Sequence, residues 1–188
     1  MTDIVGSTPL WEAHSEVMSV SIARHDAIVA EVVEAYGGSL ITWQGEGDST
    51  LSSFARASDA VKAALALQRT MRREPWPHDT PIAIRLAMHT GEAQIRDGNY
   101  YGTTLNRTGR LKALSGAGQI VLSRATADIV AENLPPGAAI VNLGEIALKG
   151  LARAESVCAL DHADLAEPPG PMPLLDGAIH FLGCDATP

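Results

Sequence analysis

The order of the periodic segments constrains the fold of this chain more than any other feature of its sequence. Residues 10–36 carry an apolar stripe with steps of three, four and seven, which predicts an amphipathic helix ended by two glycines. Residues 39–54 have the pattern of two short strands around a glycine-rich turn. A second amphipathic helix is predicted over 56–73, and the alternating segment 82–89 that follows has strand period.

The remaining segments complete an α+β pattern. Ile4 and Val5 read as the end of a first strand, and a helix is predicted to begin near Gly102 with a threonine as its cap. A buried strand, a helix and two more strands are predicted over 118–123, 125–134, 140–148 and 157–160. The order is that of a ferredoxin-like βαββαβ core with extra strands and helices.

The length of 188 residues suits one domain with a tail. We expect the domain to span residues 1–162. Four prolines fall between Pro168 and Pro173, so residues 163–188 are predicted to be a proline-rich tail that is ordered only if it docks.

Charge and composition exclude several classes of partner. The net charge of -8 argues against nucleic acid or an anionic membrane as a general partner. The chain holds 3 Trp, 3 Tyr and 2 Phe, too few for the exposed aromatic residues of an RNA-binding sheet. The sequence shows no signal-peptide pattern and no apolar run of roughly 20 residues. We therefore expect a soluble cytoplasmic protein.

The first candidate site residue is Asp3, which directly precedes a predicted strand-to-helix turn at Gly6–Thr8. Thr8 and Pro9 are predicted to start the helix, with Thr8 as the cap and Pro9 at the first helical position. Free N–H groups at a helix N-terminus attract phosphate, and a metal at Asp3 could meet the same phosphate. Taken alone, an ordinary turn with an exposed acid explains this segment better.

The second candidate is Asp48, which lies in the glycine-rich turn of the predicted hairpin. Glycines permit close approach of the backbone, so this carboxylate could share metals with Asp3. A plain hairpin turn is again the commoner explanation for such a segment taken alone. His89, in the alternating strand, is more often a satisfied sheet histidine than a catalyst.

The third candidate is the pair Asn106 and Arg110, which are four residues apart in the helix that begins near Gly102. That spacing places an amide and a guanidinium on one helix face, where they could hold a sugar oxygen and a phosphate together. An exposed helix with two solvated polar groups is the commoner explanation when this pair is considered alone.

In their order along the chain, these motifs resemble the catalytic domain of class III nucleotidyl cyclases. The resemblance covers about residues 1–160 and depends on six segments taken together. These are Thr2–Thr8, Gly47-Asp48, His89–Glu92, Tyr101-Gly102, Asn106-x-x-x-Arg110 and Leu143-Gly144 with Leu148–Leu151.

The resemblance implies a role for each candidate residue. Asp3 and Asp48, together with Ile4, would hold two divalent cations, Mg²⁺ or Mn²⁺. Asn106 would position the ribose, and Arg110 would stabilise the transition state at phosphorus. The phosphates would be bound by Lys149 and by the backbone of Ile4, Val5, Gly6, Ser7 and Thr8.

The resemblance also implies a homodimer with two sites and bears on the choice of nucleotide. The positions that read the base are usually Lys and Asp in adenylyl cyclases, but here they are Gln44 and Asn99, similar to a variant subgroup of mycobacterial-type cyclases. Because both amides carry a donor and an acceptor, we expect ATP as substrate with weak base selectivity and some use of GTP. A cyclase-like dimerisation or nucleotide-sensing module with negligible turnover is the alternative.

Overall fold

The computed structural model describes residues 1–41, 47–96, 99–151 and 153–170. Its helices and strands follow in chain order: β1 (Thr2–Ile4), α1 (Ser7–Ala35), β2 (Gly38–Ile41), β3 (Leu51–Phe54), α2 (Ala57–Arg73), β4 (Ile84–Met88), β5 (Gln94–Arg96), β6 (Asn99–Tyr101), α3 (Thr103–Lys112), β7 (Ile120–Ser123), α4 (Arg124–Val130), β8 (Ala139–Ile146) and β9 (Glu155–Asp161).

A five-stranded sheet of order β1-β4-β7-β9-β8 forms the centre of the domain. Its strands pair antiparallel except for β4 and β7, which are parallel. The β2–β3 hairpin continues the sheet beyond β1, because Thr2 and Thr50 exchange two backbone hydrogen bonds of 3.0 and 3.2 Å. The α+β, ferredoxin-like class predicted from the sequence is confirmed.

Both faces of the sheet are covered, which explains why its central strands are apolar at nearly every position. On β4, Ile84 and Leu86 join a cluster with buried residues of α1 and α2, whereas Ala87 faces a second cluster that includes Leu111 of α3. On β7, Ile120 and Leu122 alternate with Val121 in the same way. The sheet therefore holds α1 and α2 on one side and α3 on the other.

The starts of two helices differ from the prediction. Gly6, not Thr8, is the N-cap of α1, with φ 71° and no side-chain cap, so the predicted capping role of Thr8 is wrong. The physical reason is that glycine adopts a left-handed conformation without penalty, which turns the chain two residues earlier. At α3, Gly102 is the N-cap, and the hydroxyl of Thr104 donates to the carbonyl of Glu92 instead of capping the helix.

Residues just past the predicted domain boundary at 162 contact the domain. Asp164 accepts a hydrogen bond of 2.7 Å from Arg69 Nε, and Leu165 packs against the first core cluster. The backbone N–H of Ala166 donates to the carbonyl of Gly118 at 3.2 Å. The division into 1–162 and 163–188 stays a prediction. Of the helices described, none is both long and apolar enough to cross a membrane.

Candidate active site

Asp48 is bonded directly to the turn between β1 and α1. Its Oδ2 accepts a hydrogen bond of 2.7 Å from the backbone N–H of Ile4, which is 44 residues away in the sequence. Its Oδ1 accepts a hydrogen bond of 2.9 Å from the hydroxyl of Ser7. The two segments predicted to carry metal ligands therefore meet at one edge of the sheet.

Asp3 lies beside this junction and is surrounded by cations. The antiparallel register of β1 and β4 places Arg85 opposite Asp3, and Oδ2 of Asp3 accepts from Arg85 Nε at 2.7 Å and Nη2 at 2.5 Å. The other oxygen, Oδ1, accepts from the hydroxyl of Ser49 at 2.5 Å and from Lys112 Nζ at 3.0 Å. Only 9% of the Asp3 surface is exposed.

Hydrogen bonding sets the protonation of Asp3. Burial would raise the pKa of its carboxyl group, but the hydrogen bonds from Ser49, Lys112 and Arg85 outweigh burial and lower the pKa below 3.8. Asp3 is therefore a carboxylate at neutral pH.

Sequence reasoning missed Arg85 and Lys112 as residues of the site. Arg85 is a polar residue in an otherwise apolar strand, but its contact with Asp3 spans 82 residues and depends on strand register. Lys112 is two residues after Arg110, so it falls outside the i, i+4 pattern that selected Asn106 and Arg110.

Helix α3 presents its polar residues in two directions. Asn106 and Arg110 are both exposed, whereas the side chain of Lys112 is only 13% exposed and reaches Asp3. Two residues along an α-helix correspond to a rotation of about 200°, so Arg110 and Lys112 point to nearly opposite sides. Within one chain, the structure joins the segments of Asp3 and Asp48 but leaves Asn106 and Arg110 on the outer face.

The predicted phosphate cradle is narrower than residues 4–8. The N–H of Ile4 donates to Asp48 and the N–H of Val5 donates to the carbonyl of Ala83 at 2.9 Å. Since the first N–H groups of a helix have no intrahelical acceptor, the groups of Ser7 and Thr8 can still bind an anion.

The other candidate residues either lie away from Asp3 and Asp48 or are outside the residues that the structure describes. Lys149 is exposed in the turn after β8. Gln44 and the side chain of Asn99 lie outside the described residues, although Asn99 begins β6. His89 shares a 2.8 Å hydrogen bond between its Nδ1 and the hydroxyl of Ser123. Burial, assisted by Arg107, lowers the pKa of His89, as for a neutral histidine within a sheet.

A cavity of about 490 Å³ lies beside α3 and next to β6, which begins at the predicted base-reading position Asn99. Its walls include Ile41 at the end of β2, Tyr100 of β6 and Ala87 of β4. Hydroxyl groups of Ser53 and Thr104 also line it. An apolar chamber with a few hydroxyls suits a planar base.

The two candidate carboxylates have the chemistry to bind divalent cations, but their negative charge is already balanced by nearby side chains. The carboxylates of Asp3 and Asp48 are hard oxygen ligands of the kind that Mg²⁺ and Mn²⁺ prefer. Within the described part of the chain, no group of three or more His, Cys, Asp and Glu side chains could hold a metal ion. The charges of Asp3 and Asp48 are offset by those of Arg85 and Lys112, both near Asp3.

Comparison with known proteins agrees with this architecture. The adenylyl cyclase CyaB from P. aeruginosa superposes with a TM-score of 0.73 at 23% identity, covering 88% of this chain and 94% of that one. An adenylate cyclase from Trypanosoma brucei, solved in its monomeric state, gives a TM-score of 0.72 at 23% identity and covers 85% of each chain. The fold is thus that of class III cyclase catalytic domains.

The sequence comparisons identify the family. The family model of the adenylate and guanylate cyclase catalytic domain matches residues 1–160, and the chain belongs to that family. An uncharacterized protein of Mycobacterium tuberculosis is 44% identical over 167 residues, which are 89% of this chain and 56% of that protein. The adenylate cyclase of Podospora anserina is 28% identical over 156 residues, which are 70% of this chain and 7% of that protein. The chain thus spans little more than half of the mycobacterial relative.

Proposed function

We propose that this protein is a homodimeric adenylyl cyclase, which converts ATP to 3′,5′-cyclic AMP and pyrophosphate. The observation that supports the proposal is the bonding of Asp48 to Ile4 and Ser7, which joins the turn of Asp48 to the segment that carries Asp3 and to the N-terminus of α1. Two acids from joined segments, together with a helix N-terminus, would form a site for a metal-bound triphosphate.

The reaction needs the ribose 3′ oxygen to attack the α-phosphorus while pyrophosphate leaves. Asp3 and Asp48 would hold the divalent cations, which lower the cost of negative charge on the attacking and leaving oxygens. The N–H groups of Ser7 and Thr8 bind the outer phosphates at the positive end of α1. Lys149 follows β8, at the opposite edge of the sheet from β1, so it would add its positive charge to these phosphates from the second copy.

A second copy of the chain supplies the groups that one copy cannot bring to its own aspartates. Asn106 positions the ribose of a nucleotide held by the partner's aspartates, and Arg110 donates to the phosphorus centre. The exposed face of α3 supports this arrangement, because both side chains point away from Asp3 of the same chain. The β5–β6 hairpin adds exposed apolar surface, with Ile95 64% and Tyr101 48% accessible.

We expect the base to enter the cavity between β3, β6 and α3, and we expect Gln44 and Asn99 to read its edge. Each amide offers both a donor and an acceptor, so the pair can match adenine in one orientation and guanine in the other. We therefore expect ATP to be preferred over GTP only weakly.

A cyclase-like module that dimerises or senses nucleotides without turnover is the second candidate function. The observation in its favour is that both oxygens of Asp3 are engaged by Arg85, Lys112 and Ser49.

The experiment that separates the two measures cyclic product from ATP and, separately, from GTP, with Mn²⁺ and then Mg²⁺. Asp48→Ala is expected to abolish the product, and Asp59→Ala is the matched control, since Asp59 is an acid of α2 that pairs with Arg56 and Lys62 at the surface. No product from either nucleotide in a folded, dimeric protein would leave only the binding module.

A further inference from the structure

Lys112 holds one oxygen of Asp3 as a divalent cation would. Its Nζ lies 3.0 Å from Oδ1 of Asp3 and 2.7 Å from the hydroxyl oxygen of Ser49, and both charged side chains are 13% exposed. Ser49 also donates to the same Oδ1. Lys112, Asp3 and Ser49 are thus mutually hydrogen-bonded, and they connect the end of α3 with β1 and with the turn that carries Asp48.

The two cations beside Asp3 are not equivalent. Arg85 donates through two nitrogens to Oδ2 and comes from the neighbouring strand, so its position is set by the sheet. Lys112 is the last residue of α3 and reaches Oδ1 with a flexible four-carbon stem. Of the two oxygens, Oδ1 is therefore the one whose cationic partner can withdraw.

An ammonium and a divalent cation cannot share this oxygen without strong repulsion, because little solvent lies between them to screen their charges. We propose that Lys112 is an internal counter-cation of Asp3, which competes with the divalent cation for Oδ1 and thereby sets the metal affinity of the site. Lys112 is a positioning residue in this role and touches neither substrate nor product. The inference rests on the proposed function in one respect, namely that Asp3 is a metal ligand.

The test measures Mn²⁺ binding in the absence of nucleotide. Binding is quantified from the electron paramagnetic resonance signal of free Mn²⁺ and, independently, by calorimetry. Lys112→Gln is expected to bind Mn²⁺ at least about tenfold more tightly than the wild type, because the competing charge is gone. Lys112→Arg keeps the charge and should stay within about threefold of the wild type. Lys62→Gln is the matched control, a lysine bonded to an acid on the exposed face of α2.

A second variant covers the case in which Lys112→Gln does not fold. Ser49→Ala removes the hydroxyl that bonds both Asp3 and Lys112, and it should also tighten Mn²⁺ binding, by a smaller factor. Thermal unfolding of each variant shows whether it is folded. Unchanged or weaker Mn²⁺ binding in the folded variants overturns the proposal, and so does the absence of measurable binding in both.

The variant Asp3→Asn distinguishes failure of this inference from failure of the proposed function. If Asp3→Asn removes Mn²⁺ binding while Lys112→Gln leaves it unchanged, Asp3 is a ligand and the competition by Lys112 is refuted. If Asp3→Asn leaves Mn²⁺ binding unchanged in both the wild type and Lys112→Gln, Asp3 is not a ligand and the metal site of the proposed function fails with it.

Discussion

Replacing Asp48 with asparagine or with alanine separates the structural role of its carboxylate from its charge. The carboxylate accepts two hydrogen bonds, at 2.7 Å from the Ile4 N–H and at 2.9 Å from the Ser7 hydroxyl. Asparagine keeps an oxygen for the Ile4 N–H and presents an amide to Ser7, whose hydroxyl can then accept. Alanine offers no partner to either group.

The two variants should therefore differ in stability and agree in activity. Asp48→Ala leaves the N–H of Ile4 without its acceptor, which costs about 1–3 kcal/mol in the free energy of unfolding. Asp48→Asn should lose about 1 kcal/mol or less, because an oxygen still faces that N–H. Cyclic nucleotide formation should fall at least about 10²–10³-fold in both, since each removes the charge that the proposal assigns to holding a cation near the reacting phosphate.

Urea unfolding measures the stability of these proteins, and chromatographic quantification of cyclic nucleotide measures their activity. Asp59→Asn, in the surface network on α2, is the control for loss of an acid and should match the wild type in product. Full product formation by Asp48→Asn would refute the reasoning, because the charge of Asp48 would then have no part in catalysis.

Three further predictions concern acid stability, backbone strain and assembly. The pKa of Asp3 is lowered, so its contribution to stability is present above its unfolded pKa of about 3.9 and is lost as pH falls through the lower folded value. Urea unfolding of Asp3→Asn should show a shallower loss of stability below pH 4 than the wild type. Gly6→Ala should lower the free energy of unfolding by about 1–2 kcal/mol, because alanine is strained at the φ of 71° that Gly6 adopts. No atom lies within 4 Å of an added Cβ, so a clash adds nothing to this cost. Ile95→Glu should weaken the proposed dimer at least about tenfold in analytical ultracentrifugation, since it places a charge on the exposed apolar surface that the proposal assigns to the interface.

Each of these predictions has a control and a contrary outcome. Asp128→Asn changes an exposed acid on α4 and should lose stability below pH 4 as the wild type does. If the free energy of unfolding of Asp3→Asn falls with pH as steeply as that of the wild type, the role assigned to the ion pairs of Asp3 is contradicted. For Gly6, equal stability of the alanine variant would mean that the turn relaxes without strain. Ile129→Glu, at a residue 56% exposed on α4, controls for added charge, and equal dimerisation of the two glutamate variants would exclude the β5–β6 hairpin from the interface.

The order of the elements, apart from the exposed β5–β6 hairpin, was predictable because periodicity reports burial directly. The alternation of Ile84, Leu86 and Met88 and the stripe along α1 were both visible in the sequence, and both faces of the sheet are covered in the structure. Helix starts were predicted less well, since the threonine pattern favours a side-chain cap whereas Gly6 and Gly102 provide the N-caps.

The candidate site was predictable only in part. Asp3 and Asp48 could be found because each precedes or occupies a turn, and the structure bonds their two segments together. The contacts of Asp3 with Arg85 and Lys112 could not be found, because they span 82 and 109 residues. Such contacts depend on strand register and on the position of α3 beneath the sheet, and a local sequence pattern predicts neither.

Helix α3, only 10 residues long, has a consequence for communication between the two halves of the proposed dimer. Lys112 ties its C-terminal end to Asp3 of the same chain, while Asn106 and Arg110 extend from the opposite side. A short helix moves as a rigid rod, so a shift of the end of α3 on release of the Lys112 contact in one subunit would also shift the groups that this helix offers to the other. Occupation of one site would then alter turnover at the second, and the enzyme would show cooperative kinetics that arise within the catalytic domain itself.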